Sequence, residues 1–311
     1  MSDTTTTISE AQPSSTASLK LRNPKLIPSP ATASFPCTAD IAASPFHDVQ
    51  TGPTRTMLPA FDSLMEERKY RKEHLALVFR IMHRFKLAEG IAGHCSVRDP
   101  VEPDTYWVNP QGKSFALMKQ SDLVRLSVSD GRMIEGVSPV DASASSIHSQ
   151  LYKTLGRGET GAEAVVHVHG PYTKAFSSLG RTLDMISQDA CCYHDEQALV
   201  PFGGAVFDNR EGERIASLVG KGKIAILQNH GIISLGRLSI DEAAWQINFE
   251  MCCQAQLLAD SARRPTDPIV QAGPDEIAST KAEMGTPEMG WFSLAAYVEE
   301  EERHSCGEHK L

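Results

Sequence analysis

The chain carries eleven histidines, and three of them sit where imidazoles can act together. His167 and His169 alternate with valine in Val165-Val166-His167-Val168-His169. On a strand, side chains two apart leave the same face, so both rings project together from an otherwise apolar run. Two buried imidazoles without a partner are costly. A shared divalent ion removes that cost, because neutral imidazole is a common ligand for zinc and its neighbours. For His-x-His alone, the plainer alternative is a strand with two polar residues turned to solvent. His230 strengthens the metal reading, since it ends the apolar run Ile224-Ala225-Ile226-Leu227 just before Gly231. Three histidines with one coordination position left open form a catalytic type of site rather than a closed structural one.

The elements that must position these rings are partly written in the sequence. Leu75, Val78, Phe79, Met82 and Phe85 recur at helical spacing, and Gly90 stops the run. Short strands follow at 94–98, 106–109 and 123–128, and Asp130-Gly131 predicts a hairpin turn into Met133. A helix is expected over 145–155, a strand over 164–168, and a second helix over about 172–179. Strands at 224–227 and 231–234 flank Gln228-Asn229-His230. Ser239 with Glu242 three residues on has capping-box spacing, and the helix it opens runs to about Ala262, where Arg264-Pro265 ends it.

Composition narrows the partners. The 311 residues carry a net charge of −9, and no basic stripe is present. The run Glu66-Glu67-Arg68-Lys69-Tyr70-Arg71-Lys72 mixes acids with bases and reads as a solvated helix face. Nucleic acid is therefore not an expected partner, because its binding depends on neutralising phosphates. The seven cysteines show no C-x-x-C spacing and read as free thiols in a reducing compartment. No apolar run approaches the roughly 20 residues of a membrane span. The Ser- and Thr-rich N-terminus has no signal-peptide core, so the cytoplasm is the expected location and no membrane partner is expected. Residues 1–60 read as a flexible arm, 61–262 as the ordered domain, and 263–311 as an extension packing on or near the active site.

Over the ordered body, from Glu73 to Ala262, the sequence resembles the class II aldolase/adducin family. The segments that carry the resemblance occur in order: Ala92-Gly93-His94-Cys95-Ser96-Val97-Arg98, Asn109-Pro110-Gln111-Gly112, Ser121-Asp122-Leu123-Val124 with Asp130-Gly131, Ala164 to His169, and Asn229-His230-Gly231. The resemblance implies an α/β fold, a three-layer αβα sandwich around a central, mostly antiparallel sheet. It implies a homotetramer with active sites between subunits. It also implies that His167, His169 and His230 hold a divalent ion, Zn2+ first, with Fe2+, Mn2+ and Co2+ as alternatives. In aldolase members that ion is a Lewis acid stabilising the enediolate left by carbon–carbon cleavage.

Two departures set the chain apart from the aldolase pattern. Those members place a glutamate acid/base four residues before a histidine, in Pro-Ser-Ser-Glu-x-x-x-His. Here the segment is Asp141-Ala142-Ser143-Ala144-Ser145-Ser146-Ile147-His148, and Ala144 stands at the glutamate position. Asp141 would reach the site only with a different loop. The phosphate-holding positions are also changed, reading His94, Asn109 with Gly112, and Ala142 with Ser143. An unphosphorylated small-molecule substrate is expected. The pattern is nearer the adducin-like and fungal-type branch, where alanine at this position is usual.

His148, one helical turn after Ala144, and His94 are the candidates to move the proton. Arg98 is a candidate for a substrate carboxylate, with a structural ion pair as its alternative. Asn109, Gly112 and Ser143 are candidate substrate contacts, and Trp291 is a candidate lid residue. His194 reads as a surface residue that borders the pocket at most. The leading function is a metal-dependent lyase making or breaking a carbon–carbon bond beside a carbonyl, by retro-aldol reaction or decarboxylation. A non-haem Fe(II) oxygenase and an adducin-like scaffold are the rivals.

Overall fold

The computed structural model describes residues 59–158, 160–206, 209–220 and 222–311. The expected arm, residues 1–60, lies outside the described residues except at its last two positions. A central sheet of eight strands runs in the order β4-β3-β2-β1-β5-β8-β7-β6. The strands are β1 (His94–Arg98), β2 (Thr105–Val108), β3 (Val124–Ser127), β4 (Met133–Glu135), β5 (Ala164–Val168), β6 (Gln197–Val200), β7 (Ile224–Leu227) and β8 (Gly231–Gly236). Neighbours pair antiparallel except β6 with β7, which are parallel and joined through a helical crossover.

Eight α-helices flank the sheet among the described residues. They are α1 (Leu64–Arg84), α2 (Ala142–Leu155), α3 (Pro171–Ser177), α4 (Gln188–Cys191), α5 (Asn209–Val219), α6 (Ala244–Ala262), α7 (Pro274–Met284) and α8 (Pro287–Ser305). The pleat divides each strand between two cores. Cys95, Val97, Ala164, Val166 and Val168 face α1, with Ile247 of α6 and Leu294 of α8 in the same cluster. Val165, Ala225, Leu227, Ile233 and Leu235 face the other way, onto Ala144, Ile147, Leu151 and Tyr152 of α2 and Ile215 of α5. Helices thus cover both faces, giving the expected αβα layering.

Two local expectations meet their physical basis here. Ser239 and Glu242 form the capping box, with the Ser239 side chain accepting from Asp241 N and Glu242 accepting from Ser239 N. That cap opens a 3-10 turn, Ile240–Ala243, from which α6 continues. The helix α2 places Ala144, Ile147, His148, Leu151 and Tyr152 on its buried face, the i, i+3, i+4 repeat of one helical side.

One expectation is corrected. The charge run in α1 is not a wholly solvated face, because Glu67 and Arg71 are buried. Arg71 bonds Glu67 through Nε at 2.8 Å and Glu163, just before β5, through Nη1 at 2.9 Å. The charges tolerate burial because each is paired. The segment 263–311 folds as α7 and α8, and α8 packs on α1 and on the 3-10 turn at Ile240–Ala243. No helix among the described residues is long and apolar enough to cross a membrane.

Candidate metal centre

Strand register brings the histidines together. His94 opens β1 directly opposite His167 of β5, and antiparallel partners project to the same face, so their rings lie 4.8 Å apart. His169 follows β5 by one residue, and His230 sits in the tight turn between β7 and β8. That turn is held by His230 N donating to Leu227 O at 3.1 Å and by Asn229 in the left-handed region, φ 58°. Ring centroids of His167, His169 and His230 are 4.8 to 4.9 Å apart, and one ligand nitrogen from each lies within 4.8 Å of the others.

The donor set suits a divalent ion. His167 Nδ1 lies 2.8 Å from the Ile232 carbonyl, so it carries the hydrogen and leaves Nε2 bare. His167 Nε2 and His169 Nε2 stand 3.1 Å apart, close to the separation of two nitrogens on one tetrahedral ion at about 2.0–2.1 Å each. Burial, with the neighbouring rings, pushes His167 well below its ordinary value; burial lowers His169 to about 4 and also lowers His230. All three are neutral near pH 7, as ligation requires. The carboxylate beside the triad is Glu89, 3.8 Å from His169 Nδ1 and bonded by Lys174 at 2.8 Å.

Behind the triad lies a buried chain of polar groups on the α2 side of the sheet. His94 Nδ1 and His148 Nε2 are 2.6 Å apart. His148 Nδ1 contacts the Ser96 hydroxyl, which is 2.8 Å from the Tyr152 hydroxyl. Period-two spacing in β1 puts His94 and Ser96 on one face, and i, i+4 spacing in α2 puts His148 and Tyr152 opposite them. Toward the triad, His94 Nε2 lies 3.4 Å from the Ser143 hydroxyl, which donates to Asp141 Oδ1. Burial lowers His148 to about 3 and, with His148 beside it, depresses His94 strongly. Ala144 belongs to the apolar cluster under α2, so no carboxylate takes the place of the missing glutamate there.

The other expected residues separate into those near the site and those away from it. Ser143 adjoins His94. Asn109 adjoins it indirectly: its Oδ1 accepts from Cys95 N at 3.3 Å and its Nδ2 donates to Gly93 O at 3.4 Å. Gly93, at φ +95°, must be glycine-like, since a Cβ there would lie 3.1 Å from the His167 carbonyl. Gly112, at φ +79°, borders open space. Arg98 is not free for a substrate. Its guanidinium donates to the carbonyls of Ala162, Pro103, Tyr152 and Gly156, at the opposite end of β1 from His94. Asp141 caps α2 through Ser143 N at 2.8 Å rather than reaching the triad.

Trp291 is also placed elsewhere within the chain. It lines a cavity of about 200 Å³ with His74, Asp241, Ala295, Val298, Glu299 and Glu302, beside the 3-10 turn that follows β8. The Gly236 end of β8 pairs with Ala164, the far end of β5 from His169. The C-terminal extension therefore does not cover the triad of its own chain. His194 is half-exposed, 3.2 Å from Asp195, before the start of β6. Sequence reading missed Ser96, Tyr152 and Glu89. The first two had a signal in their spacing from His94 and His148; Glu89 had none.

The chain is similar to several known proteins. "Decarboxylase NovR" of Streptomyces niveus is 34% identical over 239 residues, covering 76% of this chain and 85% of that protein. "4-hydroxy-3-prenylphenylpyruvate oxygenase/4-hydroxy-3-prenylbenzoate synthase" of Streptomyces roseochromogenus subsp. oscitans is 34% identical over 239 residues, covering 76% and 83%. Among solved structures, an L-fuculose 1-phosphate aldolase from Glaciozyma antarctica PI12 superposes with a TM-score of 0.73 at 34% identity, covering 82% of this chain and 97% of that one. Residues 73–257 match the family described as Class II Aldolase and Adducin N-terminal domain, and the chain belongs to that family.

Proposed function

We propose that this protein is a metal-dependent enzyme that breaks or forms a carbon–carbon bond beside a carbonyl in a small, unphosphorylated oxo or hydroxy acid. Decarboxylation is the form favoured over retro-aldol cleavage. The observation that carries this reading is the convergence of three neutral imidazoles beside the buried His94–His148 couple, where the aldolase pattern has a glutamate. A divalent ion held by His167, His169 and His230, Zn2+ in the leading reading, supplies a Lewis acid with open positions for substrate oxygens. His94 faces that position, and His148 orients His94 from behind. Lys174, the base beside His169, is engaged by Glu89, so little positive charge is left for a phosphate. The printed name of the S. niveus relative, a decarboxylase, supports loss of a carboxyl group. The working unit in this reading is a cytoplasmic homotetramer, which sedimentation of the purified protein tests.

The second reading is a non-haem Fe(II) oxygenase at the same site, favoured by the printed name of the S. roseochromogenus relative. One experiment addresses both. Tag-free protein is purified under argon, and its bound metals are quantified beside a His167→Ala/His169→Ala variant. Aryl and alkyl 2-oxo and 2-hydroxy acids are then screened with and without oxygen. About one zinc, manganese or cobalt per chain, lost in the variant, with oxygen-independent turnover, is the expected result. About one iron with oxygen-dependent turnover selects the second reading. A native protein that takes up no metal even after reconstitution overturns both and leaves an adducin-like scaffold.

A further inference from the structure

We infer that the hydrogen-bonded chain Tyr152–Ser96–His148–His94–Ser143–Asp141 has a fixed direction, so that His94 presents a neutral Nε2–H donor to the substrate position beside the triad. The role at substrate rests on the proposed function; the direction itself rests on the hydrogen-bond inventory alone.

The direction is set from the far end, and the near end is compatible with it. At the far end, the Tyr152 hydroxyl is buried, and the hydrogen-bond partner found for it is Ser96 Oγ at 2.8 Å. A buried hydroxyl that fails to donate loses the full value of its bond, so Tyr152 donates to Ser96. The Ser96 hydrogen is then directed to its other neighbour, His148 Nδ1. A neutral imidazole with an accepting Nδ1 carries its hydrogen on Nε2, and His148 Nε2–H therefore donates to His94 Nδ1, 2.6 Å away. His94 by the same rule carries its hydrogen on Nε2.

At the near end, Asp141 is a carboxylate that accepts from Ser143 N at 2.8 Å and from the Ser143 hydroxyl. With its hydrogen committed there, Ser143 Oγ can only accept from His94 Nε2, 3.4 Å away. This contact suits the same hydrogen on the same nitrogen. The long contact is weak, and it leaves the His94 N–H able to turn to a better acceptor. A substrate carbonyl or carboxylate oxygen is such an acceptor. His94 in this form is a hydrogen-bond donor to developing negative charge rather than a base, while Tyr152, Ser96 and His148 are positioning residues.

Neutron diffraction from deuterium-exchanged crystals of the full chain tests the direction without substrate or turnover. The expected result is deuterium on Nε2 of both His94 and His148, with both Nδ1 atoms bare, and the opposite tautomer at His167. Deuterium on Nδ1 of His94 or His148 overturns the inference. The role at substrate is read from oxalate binding to metal-loaded protein. His94→Leu is expected to weaken binding about tenfold, and His94→Gln, which keeps a donor, to recover most of that loss. Equal affinities in all three proteins overturn that role. Failure of the proposed function has a different signature: no metal uptake or turnover, with the deuterium positions unchanged.

Discussion

The two ends of the β1–β5 pair bury polar groups in opposite ways. At the His94–His167 end the groups are neutral rings, each pushed toward its uncharged form by burial. At the other end, one short strand away, Arg71, Arg98 and Arg157 surround Glu163, whose carboxyl is pushed up by burial but held below its ordinary range by Arg71 and Arg157. The sheet face is the same and the depth is similar. What differs is whether charge is compensated inside the protein or avoided. Compensated charge fixes the layers to each other, since Arg71 of α1 reaches Glu163 across the edge of the sheet. Avoided charge leaves rings whose lone pairs remain available to a ligand.

The comparison breaks most severely at Glu163. Glu163→Gln removes the buried carboxylate that pairs Arg157 and leaves Arg71 with Glu67 as its acidic partner, and a loss of about 3–5 kcal/mol in unfolding free energy is expected by urea denaturation. A loss below about 1 kcal/mol would mean that the pairs are effectively solvated. Next in size is the pH response, in which the two ends separate by window. For His148 the folded value, about 3, lies below the ordinary 6.5. Its contribution is complete above about pH 6.5 and drains toward pH 3, about 1.4 kcal/mol per unit. Glu163 also has a depressed value, so its contribution is complete above about pH 4.5 and is lost only further down. Between about pH 6.5 and 4.5 metal-free protein should therefore lose the His148 contribution while that of Glu163 is still complete. Measured by denaturation with chelator present, His148→Leu should fall less steeply in that window than the unsubstituted protein; equal slopes would remove the distinction.

Smaller effects sharpen it. Arg98→Lys exchanges a fork that serves four carbonyls for a single ammonium, and a loss of about 1–3 kcal/mol is expected. Stoichiometric metal binding, followed in the same variant by titration calorimetry, should be unchanged. Reduced metal affinity would show that the two ends are coupled through β1. Ser239→Ala removes one cap at the charged end and should cost about 1 kcal/mol in thermal or chemical unfolding.

What could be read from the sequence follows from which residue types announce their partners. His167 and His169 were legible because period two on an apolar strand dictates a shared face, and β5 was placed at its observed bounds. His94 was legible as a substitution within a family pattern, and His148 as the histidine of that pattern, four residues after the substituted Ala144. Arg98 was not, because an arginine's type gives no hint that four carbonyls will occupy its donors. Glu67 and Arg71 misled for the same reason: their burial depends on Glu163, far along the chain. Ser96 and Tyr152 are ordinary residues until the β1–α2 contact exists. The strand β6 and the helices α5, α7 and α8 escaped notice because polar and charged residues interrupt their short apolar periods, as in the acidic stretch Glu299 to Glu302. Trp291, expected as a lid residue, lies within its own chain in the wall of the cavity by His74.

The site residues come from distant stretches of the chain: His94 from β1, His148 from α2, His167 and His169 around β5, and His230 from the β7–β8 turn. The β1–β5 ladder joins segments separated by the whole of β2 to α2, and β5–β8 spans a similar gap. Such non-local ladders close late, because the intervening loops must be ordered before any contact rewards them. A refolding chain can thus regain much of its helix while its imidazoles remain scattered, and metal capture becomes a clock for the last step of sheet closure.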